Sequence, residues 1–466
     1  MAEELDFINN NNTDEEDRLS SLPDSLLIEI LSLLPFKSAT ATSALSRRWV
    51  PLWTHLPHLI IGGFDDPLHT TSAERFFTTV NHILSQLISP QNHTFYLHYY
   101  HPISDALEFQ LCSALFTSWV PLICARNAVK FEVCLDSLEF CGHSIILPTC
   151  VFQTPSLVHL KLRGSFHCKL PETGIVNLPN LKKLSLCGVN FDTLGLTTLF
   201  KCCPLLENLF LELNLMEDEV IEISAHNLKY LSIHLLGSST ASRFMIDVPL
   251  LEEIAVHDSG AFYNFVKKPC MLRKACIEWP FRYREGNDYL VQILELFRGI
   301  SSVRSIHLLN SFPILYIIQH IDGNIWSLFH NLTDLRLGVP NERMNWGTSI
   351  PSALLPKLKR IRISGIDGDR NDVRSLKYVL SNADVLEHLN LFFVFDSNNS
   401  PEQRLWEEYK FCRYLFRLSR SSQSCKIEFN GCHIHTFTNG SQRVLGHSQI
   451  NWLKSSMWLD SEEDHE

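Results

Sequence analysis

The chain has 466 residues, of which 45% are hydrophobic, and a formal net charge of −11. The hydrophobic share is enough for a large core in two or three structural units. Twelve acidic residues lie in the first 17 and the last seven positions, which leaves 39 acidic against 40 basic residues in the body. A nearly neutral body argues against a nucleic-acid-binding protein.

The amino terminus is acidic and lacks the apolar segment of a signal peptide, and the uninterrupted apolar runs are too short to span a membrane. We therefore expect no membrane partner and a cytoplasmic or nuclear location. In that reducing compartment the 14 cysteines would be small core residues and not disulfides.

The first predicted elements are two short helices in the segment 17–53. Apolar residues recur at helical spacing in the first, and tryptophans and leucines mark the second. Pro23 stands in the first turn, where a helix tolerates proline, and Pro35 closes the first helix. So small a unit cannot bury all of this apolar surface, which indicates a docking surface for another protein.

The motifs Leu22-Pro23-Asp24, Leu34-Pro35 and Leu45-Ser46-Arg47-Arg48-Trp49, which closes on Leu52-Trp53, resemble an F-box of the form common in plant proteins. The resemblance implies docking to a Skp-type linker protein and, through it, to a cullin-RING ubiquitin ligase. The alternative is an ordinary buried helical hairpin. The residues expected to contact the linker, or to hold that surface in shape, are Leu22, Pro23, Leu26, Ile30, Leu34, Leu45, Trp49 and Trp53.

Between residues 55 and 127 the pattern predicts a strand at 56–61, a helix at 72–88, a strand at 94–99 and a helix at 103–126. This alternation is typical of degenerate repeats that cap a longer array.

From residue 128 the chain repeats the unit Leu-x-x-Leu-x-Leu, with exchanges among apolar residues. Successive copies start 21 to 31 residues apart, which is the period of a leucine-rich repeat. Proline stands two residues before the first leucine in five copies, as expected just before a strand. The clearest copies start at Leu157, Leu181, Leu206, Leu228, Leu251, Leu272, Val303, Leu332, Leu358 and Leu386, with an earlier one at Ala128.

The predicted fold class is therefore α/β: an N-terminal helical F-box followed by an irregular leucine-rich-repeat solenoid with a parallel sheet on its concave face. We expect partly helical return segments at 192–202 and 287–297, and insertions that include 312–326. Val189 occupies a position where an asparagine ladder would run in the strict consensus, so the solenoid should be irregular.

The motif Gly368-Asp369-Arg370-Asn371-Asp372 and the later Cys425-Lys426-Ile427-Glu428-Phe429 resemble the FBD region that follows repeats in plant F-box proteins. The alternative, and the favoured interpretation, is that this region forms the last repeats and the cap. The predicted domains are a disordered acidic leader (1–16), the F-box (17–54), capping repeats (55–127), the solenoid (128–349), FBD-like terminal repeats (350–430) and a C-terminal extension with an acidic tail (431–466).

The sequence contains no phosphate-binding loop, nucleophile elbow or His-Glu-x-x-His metal site. The short cluster Cys432-His433-Ile434-His435 suits an edge strand better than a metal site. We therefore predict no catalytic residue, no cofactor and no metal. The resemblance to an F-box implies a non-catalytic subunit whose chemistry comes from the RING partner.

Residues between the strand leucines should face the open side of the sheet, where they could bind a target protein. An aromatic residue among charges suits a partner anchor, and three clustered basic residues suit an acidic or phosphorylated segment. The face also includes Glu212, Arg336 and Arg362. The candidate target-binding residues are Lys161, Arg163, Lys183, Phe210, Tyr230, His234 and His257.

The sequence thus predicts a substrate-recognition adaptor that joins an unidentified target protein to an SCF-type (Skp–cullin–F-box) ubiquitin ligase for degradation. Two alternatives stay open: an interaction protein that never joins a productive ligase, and a receptor in which a small molecule completes the target site.

Overall fold

The computed structural model divides into two compact units, residues 1–191 and 192–466. The acidic leader, most of the predicted 312–326 insertion and nearly all of the acidic C-terminal extension after 437 lie outside the described residues. Those residues are 19, 21–62, 72–89, 93–100, 105–135, 143–170, 176–191, 193–215, 219–236, 242–257, 261–278, 287–309, 324–338, 350–394, 400–437 and 440–442.

The first unit begins with two short helices, α1 (Asp24–Ser32) and α2 (Phe36–Ala41), followed by 3₁₀ turns at Thr42–Ala44 and Leu52–His55. Proline occupies the cap position before each helix, where the missing N–H costs no helical hydrogen bond. Because Pro35 disfavours a helical conformation at Leu34, α1 ends before that residue, at Ser32, and α2 starts after Pro35.

The rest of the first unit is a parallel sheet with helices packed on it. Its helices are α3 (Ala73–Gln86) and α4 (Ala106–Ala125). Its strands are β1 (His58–Gly62), β2 (Thr94–Tyr99), β3 (Lys130–Leu135), β4 (Ile145–Leu147), β5 (His159–Cys168) and β6 (Lys183–Asn190). They pair in parallel in the order β1–β2–β3–β5–β6, and β4 pairs with the second half of β5.

The two long helices of the first unit are held together by aromatic packing. The Phe77 and Trp119 rings stack 5.4 Å apart, and Trp119 Nε1 donates to Asn81 Oδ1. Phe76 packs against Tyr99 of β2. Helix α4 is long and apolar enough to cross a membrane by length and composition, but its buried face belongs to this aromatic core. A core helix of a water-soluble unit passes the same test, so α4 is weak support for a membrane span.

The second unit carries the remaining strands. They are β7 (Asn208–Leu213), β8 (Val220–Ser224), β9 (Tyr230–Leu235), β10 (Arg243–Asp247), β11 (Glu253–His257), β12 (Phe262–Phe265), β13 (Lys274–Glu278), β14 (Ser305–Leu309), β15 (Asp334–Gly338), β16 (Arg360–Ile366), β17 (His388–Phe393), β18 (Lys426–Asn430), β19 (His435–Phe437) and β20 (Gly440–Gln442). One parallel sheet runs β7–β9–β11–β13–β14–β15–β16–β17–β18 and ends in antiparallel β19 and β20.

The repeat pattern explains this sheet. All three apolar positions of every predicted copy from Leu157 to Leu386 are buried. The five prolines at 155, 179, 204, 249 and 356 lie in the turns before the strands. The predicted fold class is confirmed: a mixed α/β chain in which an N-terminal helical module precedes parallel, leucine-rich strands.

Two asparagines link neighbouring copies, at a position that the sequence analysis did not consider. The residue just before the first leucine of a copy uses its side-chain amide to reach the previous copy. Asn180 Nδ2 donates to the Pro155 carbonyl at 2.9 Å, and Asn227 Nδ2 donates to the Pro204 carbonyl at 2.8 Å. These bonds satisfy carbonyls in proline turns that have no strand partner.

Return segments of the second unit are of two kinds. Helices α5 (Thr193–Lys201) and α6 (Asn287–Gly299) form where partly helical segments were predicted. Between them, three successive copies return through a second parallel sheet, β8–β10–β12, whose strands sequence analysis missed. The Phe244 and Tyr263 rings stack across this small sheet at 5.2 Å.

The terminal region continues the repeats with helices α7 (Arg370–Asn382) and α8 (Pro401–Leu415). Asp369 caps α7 by accepting from the Asn371 and Asp372 N–H groups, and a capping box formed by Ser400 and Gln403 starts α8. Because β18 pairs with β17 in parallel and with β19 in the antiparallel sense, the described sheet turns back on itself at this end.

A buried carboxylate fastens this end of the sheet. Glu408 of α8 is fully buried, and its oxygens accept the backbone N–H groups of Cys432, His433 and Ile434 at 2.6 to 3.1 Å. Burial raises the pKa of Glu408, and the three N–H groups oppose that shift. A Cβ at Gly431 would lie 2.4 Å from Glu408 Oε2, so glycine is required there for the turn to approach the carboxylate.

We predict that Glu408→Ala lowers the free energy of unfolding of the second unit by about 2–4 kcal/mol, because three buried N–H groups lose a charged acceptor. Thermal unfolding followed by circular dichroism measures the loss. Glu402→Ala, at an exposed position of the same helix, is the matched control and should cost only a few tenths of a kcal/mol. Equal melting temperatures for the two variants would contradict the role given to Glu408.

Candidate functional site

The amino-terminal helices have a small core of their own. It consists of Leu27, Leu31, Ala39, Trp49, Leu52 and Leu56, each at most 3% exposed. Phe36 and Trp53 pack edge to face beside it at 6.0 Å. The inward stripe of α1 is therefore Leu27 and Leu31, two residues that the sequence analysis did not select. The signal for them was present, because they are spaced four apart like Leu26 and Ile30.

A neighbouring stripe of α1, formed by Leu26 and Ile30, is apolar as well and faces solvent, as do apolar residues that follow the helix. Leu26 is 43% exposed, Ile30 37%, Leu34 41% and Leu45 64%. Leu33 and Val50, which were not among the predicted contacts, are 85% and 51% exposed. We call these six residues the amino-terminal apolar surface. Exposed aliphatic side chains on a folded module of this size are typical of an interface with another protein.

The other predicted contact residues have different positions. Pro23 is exposed at the cap of α1, whereas Leu22 and Trp53 are half-buried. Trp49 is 3% exposed and lies in the core, so it can hold the surface in shape but cannot contact a partner. Its spacing from Leu45 suggested one shared face, but the turn between them is irregular and not a helix.

Two polar contacts fix the orientation of α1. Arg48 donates from Nε and Nη2 to Asp24 Oδ1, at 2.9 and 2.7 Å, and from Nη2 to the Leu22 carbonyl at 2.5 Å. The module is joined to the sheet at Thr54, whose carbonyl accepts the N–H groups of Ile88 and Ser89. The apolar surface is thereby presented from a defined base on the first unit.

The open face of the first unit carries the predicted basic group. Lys161 and Arg163 lie two residues apart on β5, and Lys183 lies on β6 in register with His159. All three side chains are half-buried. The structure therefore brings the three predicted residues together, although Glu132, in register with Lys161, adds a negative charge beside them.

The open face of the second unit carries the predicted aromatic and histidine residues. The Phe210 and His234 rings lie 4.8 Å apart, and the His234 and His257 rings stack at 5.3 Å. His257 Nδ1 lies 3.1 Å from Glu278 Oε2. Burial, followed by the His257 charge, lowers the pKa of His234 to about 4, so this ring is neutral at physiological pH. Tyr230 lies on β9 two residues before Ser232 and four before His234.

Comparisons with known proteins agree with this architecture. A model of the F-box domain matches residues 19–60, and a model described as "FBD-associated F-box protein At5g56370, LRR repeats" matches residues 116–269. The chain thus carries an F-box domain and leucine-rich repeats of the FBD-associated kind. F-box/leucine-rich-repeat proteins are generally non-catalytic adaptors, and an F-box implies binding of a Skp-type linker.

Curated relatives match over nearly their whole length. The chain is 27% identical to F-box/LRR-repeat protein 13 of Arabidopsis thaliana, over 89% of this chain and 96% of that protein. It is 29% identical to an FBD-associated F-box protein of the same plant, over 78% and 87% of the two chains. An F-box/FBD/LRR-repeat protein of that plant is 26% identical over 89% and 99%.

The sheet of this F-box protein carries a further row that the sequence analysis did not assemble. His307, Arg336 and Arg362 occupy the same register position on adjacent strands β14, β15 and β16. His307 was not a candidate, although its place between Ile306 and Leu308 marks it as an open-face residue. We call these three residues the basic row.

Two groups that resemble metal sites are already engaged. Asp367, Asp369 and Asp372 lie close together, but the last two carboxylates accept backbone N–H groups that start α7. In the Cys432–His435 segment, three backbone N–H groups bind Glu408, and His435 Nε2 lies 3.2 Å from Glu428 Oε1. These partners explain both groups as parts of the fold.

We predict that stability falls as the pH is lowered from about 6.5 to 4. His234, with a pKa of about 4, and His307, with a pKa of about 3, resist protonation when folded but accept a proton near pH 6.5 when unfolded. The unfolded chain then binds more protons, so each histidine can cost up to about 1.4 kcal/mol per pH unit in this window.

The measurement is the midpoint of urea unfolding of the second unit at pH 7.0, 6.0 and 5.0. The double variant His234→Asn/His307→Gln should lose part of the pH dependence. His226→Gln, at an exposed position of the same unit, is the control and should retain it. An unchanged pH dependence in the double variant would disprove the assignment.

Proposed function

We propose that this chain is the substrate-recognition subunit of an SCF-type ubiquitin ligase. The F-box would bind a Skp-type linker through the amino-terminal apolar surface, and the repeats would bind a target protein through the open face of their sheet. The observation that carries the proposal is the two-sided apolar helix α1: Leu27 and Leu31 fill the core while Leu26 and Ile30 face solvent. A helix needs only one of these stripes to fold, so the second is available for a partner.

The mechanism of such a subunit is proximity. Holding a target and a ubiquitin-loaded enzyme in one complex raises the effective concentration of the target's lysines at the transfer site. The chain itself would supply no residue to the transfer reaction. We propose a cytoplasmic or nuclear location for it, and the described cysteines, which are free thiols, are consistent with a reducing compartment.

We predict that Leu26→Ser/Ile30→Ser abolishes co-purification of a Skp-type linker, because it places two hydroxyls in the buried centre of the interface. Both side chains are already exposed in the free chain, so its melting temperature should change little. Ile146→Ser/Leu122→Ser, two apolar residues that are 62% and 50% exposed elsewhere in the first unit, is the matched control and should retain the linker.

Trp49→Ala distinguishes a residue that supports the fold of the F-box from one that contacts the linker. Removing this buried ring should unfold the F-box by creating a cavity, at a cost of about 3–5 kcal/mol. Linker binding should then be lost together with the melting transition of the F-box. Full recovery of the linker by Leu26→Ser/Ile30→Ser would contradict the proposed surface.

The ligase assignment is tested by recovering the tagged chain from plant cells in which the proteasome is inhibited. The expected result is recovery of the linker together with a cullin, and ubiquitination of co-purified proteins on addition of the activating and conjugating enzymes. A chain that recovers the linker but no cullin would be an interaction protein outside the ligase, which contradicts the proposal.

A further inference from the structure

The basic row lies on the open face of the second sheet, at the centre of four parallel strands. Cys276, His307, Arg336 and Arg362 are in register on β13 to β16, so neighbouring side chains lie about 4.8 Å apart at their backbones. The residues before and after each of them, such as Leu335 and Leu337, are buried in the core. The alternation of a strand therefore directs all three members of the basic row away from the core.

The positive charge of the row has no matching negative charge in the part of the chain that the structure describes. Asp334, the nearest acid, forms an ion pair with Arg360 through both carboxylate oxygens and accepts from the Thr333 hydroxyl. Glu253 lies 3.5 Å from Lys274. Among the described residues no carboxylate forms an ion pair with Arg336 or Arg362, so two arginines without an acidic partner lie side by side on adjacent strands.

The surroundings make that repulsion costly and hold the row in place. Partial burial, and then the Arg362 charge, lowers the pKa of Arg336. The Arg362 guanidinium lies over the Phe392 ring at 5.4 Å, which fixes its plane. Burial and the nearby charges of Arg336, Lys274 and Arg362 keep His307 neutral, and its Nε2 is buried without a hydrogen-bond partner. An exposed guanidinium, Arg336, thus lies in register beside a second one, Arg362, that an aromatic ring restrains.

The next strand, β17, borders a cleft with room for part of a ligand. Asn390 of β17 is in register with Arg362 and lines a cleft of about 340 Å³ between β17, β18 and β19. Its other polar lining residues are His388, Lys426, Glu428 and His435, and Glu428 Oε1 lies 3.2 Å from His435 Nε2. An extended segment bound along the row would place its flanking residues in this cleft.

We propose that Arg336 and Arg362, flanked by the neutral His307, bind a phosphorylated serine or threonine in an extended segment of the target protein. The inference rests on the proposed function, since it names the chemistry of the target that the adaptor would select. Two adjacent guanidinium groups without carboxylates match the charge of about −1.5 to −2 on a phosphate monoester. A single carboxylate would neutralise one of them only. Planar guanidinium forks also bind phosphate oxygens in pairs, which a lysine cannot do.

The test uses the full-length protein and fluorescent peptide pools of random sequence around a central phosphoserine, serine or glutamate. The phosphoserine pool should bind at least roughly tenfold more tightly than the other two pools. Arg336→Gln/Arg362→Gln should remove that preference, since each charge-assisted bond is worth about tenfold or more in affinity. Arg370→Gln/Arg374→Gln, which removes two exposed arginines from α7, is the charge-matched control and should retain it.

Folding is checked independently. Relief of like-charge repulsion should leave the melting temperature of Arg336→Gln/Arg362→Gln unchanged or raise it, whereas a structural role for these residues would lower it. Arg336→Lys/Arg362→Lys keeps the charge without the fork and should show an intermediate loss of phosphoserine preference.

Three outcomes would overturn the inference: equal binding of the three pools, equal binding of phosphoserine and glutamate, or a phosphoserine preference that survives Arg336→Gln/Arg362→Gln. Stabilisation by inorganic phosphate alone, without preference for the phosphoserine pool, would identify a free-anion site and also overturn it. These variants lie outside the F-box, so recovery of the linker should be unchanged. If the preference for phosphoserine is absent while the linker is still recovered, the phosphorylated target is rejected and the proposed adaptor function is unaffected.

Discussion

The parallel register of the strands is the constraint on which this molecule depends. Each repeat contributes a strand of five to ten residues with too little apolar surface to form a core alone. Stacking in register buries the leucines on one side and lines up the intervening residues on the other. A residue such as Arg336 is then fixed beside Arg362 by the same pairing that buries Leu335 beside Ile361. The rows on the open face are thus a direct consequence of how the core is formed.

The parallel register also explains why the main sheet is regular while the return segments between its strands are not. The leucine positions repeat without exception from Leu157 to Leu386, because a polar residue there would be buried against two neighbouring repeats. On the return side a helix such as α5 or a strand such as β10 can each cover the core. Sequence changes there are consequently tolerated, and the spacing between repeats varies from 21 to 31 residues.

Much of this organisation could be predicted from the sequence, since periodicity reports which residues face a core. The repeats and helices α3 and α4 follow from it, whereas the F-box was identified by the resemblance of its motifs. Three features could not be predicted from the sequence. Leu26 and Leu27 have the same chemistry, so periodicity does not say which stripe of α1 is buried. Trp49 looks like a contact residue until the irregular turn after Leu45 is known. Glu408 has no sequence signal, because its partners are backbone N–H groups 24 to 26 residues away.

The two candidate surfaces share one physical property although their chemistry differs. On α1, aliphatic side chains such as Leu33 stay exposed at a cost in hydration, and on the sheet Arg336 and Arg362 stay adjacent at a cost in repulsion. Neither arrangement is required by the core beneath it, because uncharged polar residues at these outward positions would be compatible with the same strand or helix. Binding of a matching partner would remove each cost: an apolar groove for the first, a dianion for the second. The two surfaces at which the free chain bears an energetic cost are thus the surfaces from which an adaptor gains affinity. One surface would serve each of its two partners.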